Sequence, residues 1–230
     1  MRFVVILKQI PDDSIKKEYQ DVDQLDVIGF GPLSAEDVMK ETLTYGIDDA
    51  FLISDSQFAD MDVSQVAKIV AAVIKKLGPY DLVLCGRQAI DGDSAHMASM
   101  TSCALEIPLI AYSDEITEMK DGSVFATCMG DQMAYKVEAK TPAMILSIRE
   151  KNKNRFPSVP DIMKTYDGTY KTKILTNEDL NFSVTKRKVT QLRKYEVKSS
   201  KQQKLVMIGG KDEEEKAAQI LQLLKQKSVI

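Results

Sequence analysis

The stretch Leu84-Cys85-Gly86-Arg87-Gln88-Ala89-Ile90-Asp91-Gly92-Asp93-Ser94 holds the residues best arranged to do chemistry in this chain. An apolar run from Tyr80 to Cys85 stops at Gly86. A polar loop follows, with two acids flanking Gly92, and Ser94 leads into small and apolar residues. Strand, glycine-bearing loop and helix start, in that order, build an anion cradle. Free backbone N–H groups at a helix N-terminus, with the helix dipole behind them, attract phosphate. On spacing alone an ordinary strand-to-helix turn is the simpler account, because neither a GxGxxG nor a Walker pattern is present. Arg87 suits either phosphate neutralisation or a salt bridge to a partner. Ionised Asp91 and Asp93 do not bind phosphate directly. They suit turn formation, hydrogen bonds to ribose or base, or a cation. The Ser94 hydroxyl suits phosphate or helix capping. His96 is the one histidine. It has neither a plausible triad partner set nor a metal cluster around it, and enters the candidate pocket only through its neighbours Ala95 and Met97.

The elements that must position this loop alternate along the first half. Arg2 to Lys8 is β-branched and apolar, as a buried strand is. Leu25 to Phe30 reads as a weaker strand stopped by Gly31-Pro32. Ser34-Ala35-Glu36-Asp37 caps a helix to Thr44, ended by Gly46. Ala50 to Ile53 is a short strand. A helix starts at Asp62 or Ser64, runs through Val66, Ile69, Val70, Val73, Ile74 and Leu77, and stops at Gly78-Pro79. Leu82 to Cys85 is the next strand, Ala95 to Leu105 a helix, and Pro108 to Tyr112 extended. This alternation predicts a parallel sheet with helices on both faces. The loops after the first, second and fourth strands meet beyond the carboxyl ends, where ligands bind.

The alternation then fails. Asp121-Gly122 is a hairpin signal, and Val124 to Cys128 and Ala143 to Ile148 read as antiparallel additions. Residues 151–200 read as an extended, surface-hugging segment in which Pro157 and Pro160 stiffen a loop that presents Val159. Asp212 to Glu215 opens a last helix with Ala217, Ile220, Leu221 and Leu224 on one face. The expected architecture is α/β: a mostly parallel, doubly wound nucleotide-binding sheet with antiparallel additions and an extended C-terminal arm ending in a helix. The division is an α/β nucleotide-binding-like domain over 1–180 and the arm and helix over 181–230.

Composition narrows the function. Hydrophobic residues make up 44% and charged residues 28% of 230, as in a globular protein. The net charge of −3 gives no general reason for nucleic-acid binding. The basic patches Lys186-Arg187-Lys188 and Lys198 to Lys204 have only Tyr195 nearby, and read as solvated charge. No apolar run is long enough for a bilayer, and the N-terminal run is too short for a signal peptide. Cys85, Cys103 and Cys128 have no metal-ligand spacing and read as buried thiols in a reducing cytoplasm.

Three separated motifs carry a family resemblance: the Gly86 loop, Val4-Val5-Ile6-Leu7-Lys8-Gln9-Ile10-Pro11-Asp12, and Arg155-Phe156-Pro157-Ser158-Val159-Pro160-Asp161-Ile162-Met163-Lys164. In the same order they resemble the nucleotide loop, the first strand with its Lys-Gln-Val-Pro-Asp turn, and the Pro-rich recognition segment of the electron transfer flavoprotein beta subunit family. The resemblance implies that Ile6, Phe30 and the run Gly86 to Met97 line a nucleotide pocket, which holds AMP in typical members and a second FAD in bifurcating ones. The common FAD is held mainly by the alpha subunit. It implies that Val159, with Pro160, Ile162 and Met163, docks acyl-CoA dehydrogenase-type or other flavoprotein partners. It also implies that the arm from Gly209 to Ile230 embraces alpha. On this reading the chain is an electron-carrier subunit with no catalytic residues of its own. A stand-alone nucleotide-binding regulatory module of the same fold is the alternative.

The chain also departs from the family. Asp13 to Gln24 is short and lacks the Asn-Pro-x-Asp motif, so one wall of the nucleotide pocket, including its Asn contact, is expected to be missing, which leaves AMP, a second FAD and an empty pocket as alternatives. Ser94, His96 and Met97 stand where members have Thr, Gln and Val. Gly130-Asp131-Gln132-Met133 replaces the usual Gly-Gly-x-Glu type of sequence.

Overall fold

The computed structural model describes residues 1–7, 24–59, 61–88, 94–148, 156–183 and 207–227. Expectations about the shortened 13–24 stretch, up to residue 23, about Ala89 to Asp93 and about the basic patches lie outside these residues. The chain divides into two compact units, Met1–Thr190 and Gln191–Ile230.

The first unit is built on a nine-stranded sheet ordered β7-β6-β5-β8-β4-β1-β2-β3-β9. Its strands are β1 (Arg2–Leu7), β2 (Gln24–Phe30), β3 (Asp49–Ile53), β4 (Leu82–Gly86), β5 (Leu109–Lys120), β6 (Ser123–Met129), β7 (Ala134–Lys140), β8 (Ala143–Ser147) and β9 (Lys173–Leu175). β1 runs parallel to β2 on one side and to β4 on the other. The chain therefore builds outward through β2 and β3 and then returns across β1 to β4. That reversal is a topological switch point, and it opens a crevice at the carboxyl ends of β1 and β4.

Strand alternation splits the core into two layers. Val4, Ile6, Ile28, Val83 and Cys85 face α2 (Val63–Leu77) and α3 (Met97–Leu105), whose Ile69, Val70, Val73 and Ala98 join the same cluster. Phe3, Val5, Leu25, Val27 and Leu84 face the opposite side, where α1 (Glu36–Leu43) contributes Met39 and Leu43. A period of two in the strands met by a period of 3.6 in the helices is what a doubly wound sheet requires. α1 lies so close to β2 that a Cβ at Gly29 would collide with the Met39 thioether.

Several expectations need correction. β2 is an interior strand paired on both sides, not a weak one. Leu33–Ala35 forms a 3-10 turn before α1, so Ser34 makes no capping bond. Ala143 to Ser147 is parallel to both β4 and β5, not antiparallel, because it inserts between them to complete the parallel core. The antiparallel additions are β6 and β7. The hairpin from β5 to β6 turns at Asp121 and Gly122, with φ of 52° and 69°, as a type I′ turn demands. Cys85 and Cys128 are buried, but Cys103 lies on the outer side of α3 and is exposed. Residues 156–183 are not simply extended. They contain α4 (Val159–Tyr166), β9, which adds to β3, and the single turn α5 (Asn177–Leu180). Ser158 initiates α4: its hydroxyl accepts from the Asp161 amide at 3.2 Å and donates to the Asp161 carboxylate at 2.6 Å. Pro160 sits in the first turn, where a missing N–H costs nothing.

At the amino end of the sheet, Asp26 is 1% exposed and stays satisfied. It accepts from the Tyr80 hydroxyl at 2.6 Å and the Gln24 amide at 2.9 Å, and pairs with Arg2 at 3.4 Å. Burial and then the Asp26 bond push the Tyr80 hydroxyl pKa well up, so it stays a donor. Tyr80→Phe is expected to cost about 2 kcal/mol, the worth of a hydrogen bond to a charged group, read as a lowered urea midpoint.

A carboxylate at the other end fastens α5. Asp55 accepts from the Asn177 amide at 2.9 Å and from the Gln57 amide at 2.8 Å. These backbone bonds, that of Gln57 foremost, lower its pKa below 3.8. The folded state therefore gains from Asp55 above that pH, and the gain disappears as pH falls through the lowered value. The Asn177 and Gln57 amide NMR shifts are expected to titrate with a midpoint below 3.8. Asp55→Asn removes this response; amides that still titrate in that variant would assign it to another group.

The second unit contains α6 (Glu213–Gln226), capped by Asp212 accepting from the Glu215 amide at 2.8 Å. Three acids in the first turn and Lys225 in the last complement the helix dipole. Ile220 and Leu221 on this helix are exposed. Among the described residues, no helix is long and apolar enough to cross a membrane.

Candidate functional site

The switch point lies at the carboxyl ends of β1 and β4, over an apolar cluster. Ile6, at the end of β1, lies beside Ile28 of β2 and Cys85 of β4. Its side chain, 8% exposed, belongs to the same apolar cluster as Cys85, and Phe30 and Met97 pack against that cluster. Phe30 closes β2 and stacks on Phe58 with ring centroids 6.1 Å apart. Burial pushes the Cys85 thiol up to about 12, which makes it an inert apolar group in this cluster.

β4 ends at Gly86, which opposes Ser147 of β8. Gly86, Arg87 and Gln88 are exposed. No described atom lies within 4 Å of where a Gly86 Cβ would sit, so the backbone is approachable there. Ala89, Ile90, Asp91, Gly92 and Asp93 lie outside the described residues. The chain is described again from Ser94, with Ala95 and His96 exposed beside it.

The helix after the loop starts later than its composition indicates. Ala95 takes the left-handed conformation at φ 53°, costly for a residue with a Cβ, and α3 begins at Met97 with His96 as its N-cap. Ser94 is therefore two residues ahead of the cap, and the His96 side chain makes no capping bond. The first amides of α3 are left without a side-chain cap from a described residue. The structure thus brings Ile6, Phe30, Gly86 and Met97 to one end of the sheet, and the α3 N-terminus, without a side-chain cap from a described residue, to the same end.

The Pro-rich segment forms a separate surface. Val159 is 69% and Met163 64% exposed, and Ile162 and Pro160 are exposed beside them. Their spacing places Val159, Ile162, Met163 and Tyr166 on one stripe of α4, with Phe156 just ahead, while Thr165 faces inward. α4 packs on α1. Phe156 and Tyr166 were not among the residues singled out by sequence. The i, i+3, i+4, i+7 spacing from Val159 to Tyr166 is the signal that identifies Tyr166.

The sequence matches known proteins. The electron transfer flavoprotein domain matches residues 14–174, more than half of the chain. An electron transfer flavoprotein subunit beta from Thermoanaerobacterium thermosaccharolyticum is 37% identical over 155 residues, covering 67% of this chain and 58% of that protein. The subunit beta from Clostridium acetobutylicum is 33% identical over 209 residues, covering 89% of this chain and 78% of that protein. The Caffeyl-CoA reductase-Etf complex subunit CarD of Acetobacterium woodii is 35% identical over 158 residues, covering 68% and 59%. Two of these matches span under three fifths of the relative's length. The parallel sheet, the switch-point crevice and these matches agree: the chain belongs to the electron transfer flavoprotein beta subunit family.

Proposed function

We propose that this chain is the beta half of an electron-transferring heterodimer, paired with an FAD-carrying alpha subunit and passing electrons to or from flavoenzymes. The exposed apolar stripe on α4 carries the reading. A water-facing row of Val159, Ile162, Met163 and Tyr166 is costly for an isolated protein and suits an anchor that fills a pocket on a transient partner. The name of the Acetobacterium woodii relative joins it to a CoA-ester reductase, and the partner class proposed here is likewise acyl-CoA dehydrogenase-type or related flavoproteins.

The crevice fits the phosphate end of a nucleotide. Gly86 has no described atom within 4 Å of its Cβ position, the first turn of α3 has no side-chain cap from a described residue, and Arg87 follows Gly86 as an exposed cation. AMP or a second FAD is the proposed occupant. Gly86, Arg87 and the Ser94 to Met97 turn hold its phosphate, and Ile6, Phe30 and Met97 supply the apolar floor. Ala89 to Asp93 complete the loop. Flavin supplies the electron chemistry, and the protein supplies distance, orientation and exclusion of water. Neither a nucleophile nor an acid–base pair is assigned to this chain. The arm and α6, with Ile220 and Leu221 exposed, are proposed to contact alpha.

Native mass spectrometry of the tagged full chain purified from its host tests the reading. A second polypeptide with one FAD is expected, and the residual mass distinguishes AMP from a second FAD. A flavin-free chain without a second polypeptide would sink it and favour the regulatory module.

A further inference from the structure

Among the described residues, Ala95, Glu106, Tyr112, Asp121 and Asn181 take a left-handed backbone without being glycine. Three of them have ordinary structural reasons. Glu106 and Asn181 stand at the C-caps of α3 and α5, and Asp121 belongs to the hairpin turn. Ala95 and Tyr112 end no helix and close no hairpin. Tyr112, at φ 56°, is the more costly, because a bulky side chain crowds its own backbone there. It sits in a bulge of β5. Ile110 pairs with Ile145 of β8 and Ser113 with Ser147, so β5 takes three steps where β8 takes two. Bulges re-aim side chains and recur beside functional sites. Strain of this kind persists only where the surrounding structure enforces it, and it clusters where ligands are held.

Position indicates what the strain serves. Ser147 pairs with Ser113 on one side and with Gly86 on the other. The end of β4 and the Tyr112 bulge are therefore two strand spacings apart, about 10 Å, along the same carboxyl edge of the sheet. Ile110 and Ser113 on either side of the bulge are buried, whereas Tyr112 is about half exposed. We infer that Tyr112 is a ring-stacking residue of the nucleotide site. With the phosphate at Gly86, its phenol ring covers one face of the nucleotide's planar ring system, adenine or flavin. Tyrosine suits this task, since it offers a flat apolar face to any heteroaromatic ring and a hydroxyl that stays in water. The inference rests on the nucleotide reading of the crevice. It adds a residue from β5 to a site otherwise built from β1, β2, β4 and the turn before α3.

Titration calorimetry of the full chain tests it, after dialysis to remove nucleotide and with any accompanying subunit retained. The probes are AMP, FAD and ribose 5-phosphate. Tyr112→Asn removes the ring but keeps a residue that tolerates the left-handed backbone, whereas Tyr112→Phe keeps the ring. Wild type and Tyr112→Phe are expected to bind nucleotide alike, and Tyr112→Asn about tenfold more weakly. A loss toward AMP assigns adenine as the stacked ring, and a loss confined to FAD assigns the flavin. Ribose 5-phosphate, which has the phosphate but no aromatic ring, should bind all three proteins equally. A Tyr112→Asn chain that binds AMP and FAD like wild type, or that loses ribose 5-phosphate just as strongly, would overturn the role of Tyr112 and leave the phosphate site standing. Failure of the wild-type chain to bind any of the three would overturn both. If Tyr112→Asn does not fold, NMR of the wild-type chain decides. An upfield shift of the Tyr112 ring protons on adding AMP or FAD supports stacking, and unmoved ring protons overturn it.

Discussion

Met163→Glu is expected to lower electron exchange with the partner flavoenzyme by about thirtyfold at sub-saturating partner, the effect of losing one hot-spot residue. Met163 is exposed at the centre of the α4 stripe, so the folded chain loses almost no packing. A carboxylate there must be desolvated against an apolar pocket, which costs more than truncation alone. Stopped-flow reduction of the partner should show the loss as weaker docking, with FAD content and alpha binding unchanged. Val159→Asp should behave alike, since Val159 shares the stripe. Full-speed transfer in both variants would remove α4 from the docking surface. Release of alpha instead would reassign the stripe to the subunit interface.

The second large effect is expected at Gly86. Gly86→Val should leave thermal stability close to wild type, because no described atom occupies the space its Cβ enters. Nucleotide retention should fall by more than about tenfold, since blocking backbone approach forfeits hydrogen bonds to a charged group, each worth about 1.5–3 kcal/mol. Mass spectrometry or absorbance of the released nucleotide reads the result. A full nucleotide complement in the variant would place the phosphate elsewhere. The prediction is separable from the first, because the crevice and the α4 stripe are built from different elements.

Both sites were partly legible in the sequence, for different reasons. Gly86 was legible because a strand that stops at glycine is a local event. The start of α3 was not. Its composition is helical from Ala95, yet a left-handed Ala95 moves the N-terminus to Met97. For α4, Pro157 and Pro160 read as a stiffened loop, and a stronger local signal lies beside them. Ser158 and Asp161 are a capping pair ahead of an apolar helical stripe, and Pro160 falls where helices accept proline. Thr176 and Asp179 repeat the device at α5.

The sequence by itself determined the α/β class, the helices with strong apolar periodicity and the Asp121-Gly122 turn, because each rests on contacts within a few residues. Its three family motifs also determined kinship. Only the tertiary structure decided that Ala143–Ser147 is a parallel interior strand, that Asp26 is held by Tyr80, and which side chains stay exposed. A buried apolar strand reads the same whether its neighbours run with it or against it, since direction is set by the path of the chain between strands. Asp26 and Tyr80 lie 54 residues apart, and only the fold brings them together.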